Sequence, residues 1–298
     1  MPELPDIAVY LEALTRRTVG HRLQAIRLAS PFLLRSVDPR IDEVVGHEVT
    51  GLRRIGKRVV FELEDDLFVV IHLMVAGRFA WDDEPGAKIP ARIGLAGFDF
   101  DHGTLLLREA SKKKRASLHL VRGEAGLVDH DRGGAEPLEV DLAGFTAALT
   151  KERHTLKRAL TDQRLLSGIG NAYSDEILHR SKLSPMRRSD QLSPEELERL
   201  YEATRAVLVE WTDRLREESG DGFPENVTAF RPEMAVHGKY KSPCPVCGGT
   251  IMRIRYASNE ANYCPTCQTD GKLLADRSLS RLLKASWPKT LEELEGKP

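Results

Sequence analysis

The chain of 298 residues is long enough for two domains, and its 41% hydrophobic and 30% charged residues are typical of a soluble globular protein. No apolar run approaches the roughly 18 to 20 residues of a membrane span, and the acidic N-terminus does not resemble a signal peptide, so we expect a cytoplasmic protein without membrane contact. The net charge of −1 gives no global attraction to nucleic acid, so a polyanion requires a local basic surface.

The chain begins Met-Pro-Glu-Leu-Pro. A small second residue permits removal of Met1, which makes Pro2 a free secondary amine beside the carboxylate of Glu3. An N-terminal amine has a reference pKa of about 7.7–8.0 and is therefore nucleophilic near neutral pH. Such an amine can form an iminium ion with a sugar aldehyde carbon, while Glu3 moves protons at the same sugar. Because many proteins begin with Met-Pro, this interpretation depends on the rest of the chain.

The first part of the chain predicts a helix followed by strands. Apolar spacing favours a helix over 7–18, which would hold the Pro2 amine in place. Short strand-like runs separated by turn residues then favour an antiparallel sandwich or barrel. These runs are 23–28, 49–52, 59–63, 67–73, 93–95 and 104–107. A segment rich in glycine, 133–137, is the predicted linker.

Beyond the linker the apolar period is helical. The predicted helices are 141–150, 156–161, 172–181 and 194–218. The last opens with Ser193 as cap, followed by Pro194. Between two of the helices lies the turn Gly168-Ile169-Gly170-Asn171, which directs backbone N–H groups and a helix N-terminus to one point and so suits a phosphate. Taken alone, this turn is a weak signal for nucleic acid.

After an irregular stretch over 220–240, all four cysteines form two Cys-x-x-Cys pairs. They are Cys244, Cys247, Cys264 and Cys267. In a reducing compartment this spacing predicts a metal site, and four thiolates complete a tetrahedral zinc without an open catalytic position. We therefore predict one structural zinc, a hairpin strand at 251–256 and a further amphipathic helix at 273–287.

The Met-Pro-Glu-Leu-Pro start, the Gly-Ile-Gly-Asn turn and the four-cysteine finger, in this order, resemble the formamidopyrimidine-DNA glycosylase/endonuclease VIII family. The resemblance extends to about Gln268. It implies an α+β multidomain fold: an N-terminal antiparallel β-sandwich with flanking helices, a helix–two-turn–helix domain and a C-terminal zinc finger. It also implies a base-excision repair enzyme that removes damaged bases and cuts the abasic strand by β,δ-elimination.

The domains that follow from the resemblance are a catalytic sandwich at 1–132, a helix–two-turn–helix domain at 133–240, a zinc finger at 241–270 and a helical extension at 271–298. The implied cofactor is one zinc ion. The implied partner is damaged or abasic DNA, bound by a monomer that acts at a bacterial nucleoid.

The family's roles can be carried over residue by residue. Pro2 matches the Schiff-base nucleophile, and Glu3 matches the acid/base at the sugar ring oxygen and C2′. Lys57 matches the loop lysine that contacts the phosphate beside the lesion; the alternative is an ordinary surface lysine. Asn171 matches the turn asparagine on the same backbone and could instead be a helix cap, while Lys157 is expected to assist. Phosphate contacts of this kind set the register of a strand whose base is extruded.

Several positions depart from the family pattern. Asp6 replaces a glutamate, so the hydrogen bonds made there are expected to be rearranged. Asn259 occupies the place of a finger arginine that clamps phosphate, and an uncharged contact is weaker because charge-assisted hydrogen bonds are roughly twice as strong.

The loops that fill the space left by the flipped base also differ. The expected methionine is one place early at Met74, which leaves Val75 at the matched position. Lys114 and Arg115 stand for the expected arginine and phenylalanine. Together with Lys113 they form the most basic run of the chain, which we interpret as a strand-gripping loop. A solvated loop is the alternative.

Two other functions remain open at this point. A non-catalytic damage-binding relative is favoured by Asn259 and the changed loops, whereas Pro2, Glu3 and Lys57 favour an active glycosylase and abasic-site lyase. An RNA-binding or assembly module would not explain the Pro2-Glu3 start.

Overall fold

The computed structural model describes residues 1–225, 227–256, 259–275, 288–290 and 293. The chain divides into two compact units: unit 1 is Met1–Arg132 with Glu210–Thr228, and unit 2 is Gly133–Val209 with Ala229–Pro298. The division after Arg132 coincides with the start of the predicted linker. The finer domain boundaries at 240 and 270 stay predictions.

Unit 1 is built on two antiparallel sheets. Its strands are β1 (Ala25–Leu28), β2 (Val49–Ile55), β3 (Arg58–Leu63), β4 (Leu67–His72), β5 (Gly77–Asp82), β6 (Gly94–Phe100), β7 (Gly103–Glu109) and β8 (Ser117–Arg122). One sheet has the order β2-β3-β4-β8 and the other β1-β6-β7-β5. Helix α1 (Leu4–Thr18) and the short helix α2 (Ile41–Val44) complete the unit. The predicted antiparallel β-sandwich with flanking helices is confirmed.

The core of unit 1 contains the apolar faces of both sheets and one face of α1. Val59 and Phe61 of β3 and Phe98 of β6 are buried in it, at every second position because successive strand residues point to opposite faces. From α1, Tyr10 is 0% exposed and its ring lies 5.3 Å from that of Phe79. This packing fixes the position of the helix that follows the N-terminus.

Helix α1 begins earlier than the predicted residue 7. Glu3 is its N-cap, with an extended backbone, and Pro5 lies in its first turn. A proline is tolerated there because the N–H that it lacks has no partner inside the helix. The helix therefore starts directly behind the proposed catalytic pair.

The sequence missed β5 and β8 and underestimated β6, in which Gly97 interrupts the apolar run. In β6, a Cβ on Gly97 would lie 3.0 Å from the Arg27 guanidinium. Arg27 Nε donates to Asp99 Oδ2 at 2.6 Å, so the glycine makes room for an ion pair across the sheet. A glycine that reads as a turn signal can thus lie inside a strand where another group approaches the backbone.

Unit 2 contains the predicted helices: α3 (Leu142–Thr150), α4 (Leu156–Thr161), α5 (Asn171–Arg180) and α6 (Pro194–Ser219), whose residues from Glu210 belong to unit 1. The predicted Ser193 cap is present, since Glu196 N donates to Ser193 Oγ at 3.2 Å. The Ser193 N–H donates in return to Glu196 Oε2 at 2.9 Å. This reciprocal pair satisfies two N–H groups at the helix start.

The finger hairpin consists of β9 (Met252–Tyr256) and β10 (Asn259–Tyr263), followed by the short helix α7 (Pro265–Thr269). The predicted helix over 273–287 falls largely outside the described residues. Among the described residues, no helix has the length and apolar character needed to cross a membrane.

Candidate active site

The N-terminus lies among buried charged groups of unit 1. Pro2 is buried, and Glu3 and Lys57 are 2% and 5% exposed. Burial is the main cause that lowers the pKa of the Met1 ammonium; the charge of Glu3 opposes this shift, and the charges of Arg78 and Lys57 add to it. A lowered pKa leaves more of the amine unprotonated, which is the state that a nucleophile requires.

Asp6 fixes the backbone of Glu3. The Glu3 N–H donates to Asp6 Oδ2 at 2.8 Å, and Asp6 is 2% exposed. An acidic side chain in the first turn also interacts favourably with the helix dipole. The shorter side chain at this family position is therefore long enough to hold Glu3 at the N-cap of α1.

Lys57 follows Gly56 in the turn between β2 and β3. Gly56 has a φ of +59°, in the left-handed region that favours glycine. Since Lys57 is 5% exposed, it is not an ordinary surface lysine, and a buried ammonium needs nearby compensating groups. Like Glu3, Lys57 lies close enough to the terminal ammonium for its charge to act on it.

Sequence reasoning missed Arg78. Its side chain donates to Gly77 O at 2.7 Å and to Val75 O at 3.3 Å, and its Nε donates to Val227 O. Its charge contributes to the lowered pKa of the terminal amine. The available signal was its position directly after the loop that bears Met74, but no strand was predicted there.

The loop before Arg78 is a tight turn. Met74 has a φ of +52°, and Gly77 N donates to Leu73 O at 2.8 Å. A Cβ on Gly77 would lie 2.2 Å from Leu73 O, so no other residue fits without a backbone shift. Val75, at the position of the family's methionine, is 57% exposed and available to a ligand.

The basic run after β7 is anchored by Glu109, which is 1% exposed. Its carboxylate accepts the Arg115 N–H at 2.8 Å and the Ala116 N–H at 3.0 Å. Lys113, Lys114 and Arg115 are all exposed, and the Lys114 ammonium donates to the carbonyl oxygen of Glu109. All three predicted strand-gripping cations are therefore accessible to solvent, and Lys114 is partly engaged by its own loop.

In unit 2 the glycine turn is held by Gln163. Its amide nitrogen donates to Ile169 O at 2.7 Å, and its amide oxygen accepts the Gly168 N–H at 2.9 Å. Gly170 is the N-cap of α5 and Asn171 its first residue. The alternative that Asn171 is the helix cap is wrong, because glycine adopts the required extended conformation there.

Lys157 is more constrained than predicted. Its ammonium donates to Asn171 O at 2.6 Å, Ser174 Oγ at 2.8 Å and Asp175 Oδ1 at 2.5 Å. Three acceptors use all three of its N–H groups. Lys157 thus stabilises the Gly-x-Gly-Asn turn through its bond to Asn171 O, while a direct contact with a phosphate stays a prediction.

Asp175 and Glu176 were also missed by sequence reasoning. Asp175 is 0% exposed and contacts His237 Nδ1 at 2.8 Å and Asn262 Nδ2 at 3.2 Å in addition to Lys157. Glu176 accepts the backbone N–H groups of residues 235–237 at 2.8, 3.0 and 2.9 Å. Adjacent acidic residues on α5 therefore bind the segment before the finger and strand β10 to the helix.

The four cysteine sulfurs lie within 4.8 Å of one another. Cys247 Sγ is 3.4 Å from Cys264 Sγ, and Cys244 Sγ is 3.9 Å from Cys267 Sγ. Tetrahedral zinc with thiolate bonds of about 2.3 Å separates its sulfurs by about 3.8 Å, so the cluster fits this ion. His179 Nε2 lies 3.3 Å from Cys244 Sγ, which places a ring N–H donor behind one ligand.

Comparisons with known proteins match these features. Residues 1–118 match the formamidopyrimidine-DNA glycosylase N-terminal domain, 134–215 its H2TH domain and 241–269 the zinc finger found in FPG and IleRS. The formamidopyrimidine-DNA glycosylase of Heliobacterium modesticaldum is 34% identical over 281 residues, covering 90% of this chain and 100% of the relative.

The chain belongs to the formamidopyrimidine-DNA glycosylase family. A glycosylase-like protein of Mycobacterium tuberculosis is 45% identical over 154 residues, which cover 51% of this chain and 94% of that protein. A solved complex of the Lactococcus lactis Fpg with DNA that contains an abasic site is 25% identical, with a TM-score of 0.77 over 90% of this chain and 99% of that chain.

Membership confirms the fold class, the structural zinc and the function predicted from the sequence. The protein is a base-excision repair glycosylase with abasic-site lyase activity, and it binds DNA. The roles of individual residues stay predictions. Among the predicted DNA contacts, the side chain of Asn259 lies outside the described residues.

Proposed function

We propose that this glycosylase cuts damaged and abasic strands through a Schiff base at Pro2. The observation that supports it is the burial of the chain's terminal amine beside Glu3 and Lys57, where desolvation lowers the amine pKa. Removal of Met1 transfers the terminal position to Pro2, whose ring nitrogen is a secondary amine. A solvated terminus would not have this protection from protonation.

In this proposal the Pro2 nitrogen attacks C1′ of the sugar and the damaged base leaves. The resulting iminium ion activates C2′, and loss of a C2′ proton expels the 3′ phosphate oxygen in β-elimination; δ-elimination then expels the 5′ phosphate. The Glu3 carboxylate transfers protons at the ring oxygen and at C2′, while the hydrogen bond from the Glu3 backbone N–H to Asp6 fixes the backbone of Glu3. Lys57 pairs with the phosphate beside the lesion.

Binding of the DNA strand is assigned to cations of unit 1 and to polar side chains of unit 2. In unit 1 the exposed Lys113 and Arg115, with Lys114, offer the local basic surface that the net charge lacks. In unit 2 we assign Asn171 and Asn259 to backbone contacts and Lys157 to support of the turn. Such contacts set the register of the strand and carry no base information.

Borohydride trapping on an abasic oligonucleotide tests the chemistry. Protein with a free Pro2 should form a covalent adduct, because borohydride reduces the iminium bond to a stable amine. The matched control is the same chain with extra residues ahead of Pro2, which blocks the nitrogen while leaving the fold intact. An adduct of equal yield from the blocked chain would reject Pro2 as the nucleophile, and no adduct from either would favour a non-catalytic damage-binding protein.

The void-filling loops predict which DNA is preferred. Flipping a base from duplex costs a few kcal/mol, and an intercalated wedge offsets part of this cost. Val75 is shorter than methionine, and Lys114 and Arg115 offer charge where the family offers an arginine and a ring. We expect low activity on 8-oxoguanine in intact duplex and weak discrimination of the opposite base. Abasic sites, ring-opened or oxidised pyrimidines, and damage in bubbles or single strands should react better.

Single-turnover rates on one lesion in duplex, bubble and single strand test this preference. Charge reversal at Lys113 and Lys114 should weaken all three substrates together and reduce the salt dependence of binding. A duplex 8-oxoguanine rate above the others, with a clear preference for cytosine opposite, would contradict the expected loop function.

The protein is further proposed to act as a monomer on chromosomal DNA in the cytoplasm. One chain supplies Pro2, Glu3 and Lys57, so no second copy is needed for the site. Light scattering of the protein with and without DNA distinguishes a single chain from a dimer.

A further inference from the structure

A cavity of about 520 Å³ opens on unit 1 beside β8. Its lining includes Arg35, Arg58, His119, Arg122, Asp129 and His130. Arg58 and His119 project from β3 and β8 of the same sheet, and His130 ends the helical turn Glu124–His130 that follows β8. Five of the eleven residues that line the cavity are arginine or histidine, and two are aspartate.

Arg58 lacks a directly bound carboxylate within the part of the chain that the structure describes. Among the described residues, its guanidinium makes neither a hydrogen bond nor an ion pair. Burial lowers its pKa, and the like charge of Arg132 lowers it further, while Asp131 opposes both. The nearby Arg122 differs, because its guanidinium is bound by Glu43 at 2.9 Å. A partly buried cation without a bound carboxylate is a costly arrangement that a ligand anion relieves.

The two histidines add unused hydrogen-bonding capacity. Their rings lie 4.7 Å apart, and His119 Nδ1 is buried without a hydrogen-bond partner among the described residues. Burial, followed by the charges of His130, Arg58 and Arg35, lowers the pKa of His119 to about 4. Without a ligand, burial and then the clustered positive charge therefore favour the neutral form of this imidazole.

An anion in the cavity would compensate the charge of Arg58 and give His119 Nδ1 a hydrogen-bond partner. It would neutralise Arg58, accept a hydrogen bond from His119 and favour the protonated histidines, which adds charge-assisted bonds. Asp129 and Asp38 lie at the same cavity, so a small anion that bonds to the cations is favoured over an extended acidic surface. Phosphate, with several acceptor oxygens in a compact group, suits this donor set.

We propose that the cavity formed around Arg58, His119 and His130 is a phosphate-binding site separate from the Pro2 site. His72, which pairs with Arg58 in the sheet, responds to the charges of both sites. Burial lowers its pKa, and the charges of Arg58 and His119 from the cavity and of Lys57 from the Pro2 site lower it further. Two sources can supply the phosphate: the backbone of the bound strand or a free phosphate ion. The strand source rests on the proposed function.

Salt titration of DNA binding tests the strand source. The variant carries Arg58→Gln and His119→Gln, and the control is Arg16→Gln, an exposed arginine of α1. One lost phosphate contact should reduce the slope of log K against log[salt] by about 0.9, equally for damaged and undamaged duplex. Arg58→Lys should retain the slope, which separates lost charge from misfolding.

Nitrogen-15 NMR of the imidazoles tests the free source in the intact, zinc-loaded chain. Inorganic phosphate should shift the His119 and His130 resonances, with chloride at equal ionic strength as control. A shift without a slope change assigns the cavity to free phosphate, and a slope change assigns it to the strand. If neither occurs, the phosphate site is wrong. Failure of the native protein to bind any DNA would count against the proposed function, and the phosphate titration would still decide the cavity.

Discussion

Replacing Asp175 by asparagine is the sharpest test of how unit 2 is held together. The Asp175 carboxylate is 0% exposed and contacts Lys157, His237 and Asn262, which belong to α4, to the segment before the finger and to β10. Asn has the same shape but no charge. The change therefore leaves the Lys157 ammonium, whose side chain is 11% exposed, without its counter-ion.

The expected loss in the free energy of unfolding is large because the Lys157 ammonium stays buried. Removing one member of a buried ion pair typically costs about 3–5 kcal/mol, well above the value of an exposed pair. The Lys157 ammonium keeps its bonds to Asn171 O and Ser174 Oγ, which places the expected loss near the lower end, at about 3 kcal/mol. The neighbouring interactions of Glu176 are unaffected.

Urea denaturation of the zinc-loaded protein, followed both by tryptophan fluorescence and by the helical circular-dichroism signal, measures this loss. The matched control is Asp190→Asn, which removes a carboxylate from an exposed pair with Arg188 and should change stability little. Adding Lys157→Met to Asp175→Asn should recover part of the stability, because the double variant no longer buries an uncompensated charge.

The reasoning fails if Asp175→Asn is no more destabilising than Asp190→Asn. It also fails if Lys157→Met and Asp175→Asn have additive effects, since additivity means that the two groups do not interact. Asn262 connects Asp175 to the finger hairpin. If Asp175→Asn loses its zinc at a lower chelator concentration than the native protein does, Asp175 also stabilises the finger.

Two further predictions concern zinc and acid. The purified chain should hold one zinc ion, and elemental analysis far below one zinc per folded chain would reject this. A chelator should loosen the finger and weaken DNA binding without unfolding the sheets of unit 1. Burial and the charge of Arg58 lower the pKa of His72 to about 4, so the unfolded state binds its proton first as pH falls from 6.5. His72 should therefore cost up to about 3 kcal/mol of stability between about pH 6.5 and 4, and His72→Gln should remove that part of the acid sensitivity in pH-dependent denaturation.

The sequence predicted the elements that carry a local signal. The helix at 156–161 has the bounds predicted, and the Ser193 cap and the cysteine spacing each specify their structure through nearby residues. In each case the interacting groups are close in the chain, so their spacing is visible without a fold.

Other features depend on contacts between distant segments. Asp175 reads as an ordinary helix residue, because nothing near it reveals that Asn262 lies 3.2 Å from its carboxylate. Arg78 lies where no strand was predicted, and nothing near it in the chain reveals that it binds Val227 and influences the terminal amine. Lys157 was predicted to face DNA for the same reason: its acceptors are supplied by a different helix.

Net charge also fails to predict DNA binding, because it counts cations that are paired with carboxylates together with cations that are not. Arg27, Arg122 and Arg164 are bound by carboxylates, so much of the basic content is neutralised within the fold. Among the described residues, Lys113 and Arg115 form no ion pair and lie on one exposed loop. A polyanion responds to such local, uncompensated charge within about 8–10 Å, the screening length at physiological salt. A protein with a net charge of −1 can therefore bind DNA through the few cations that its own carboxylates leave unpaired.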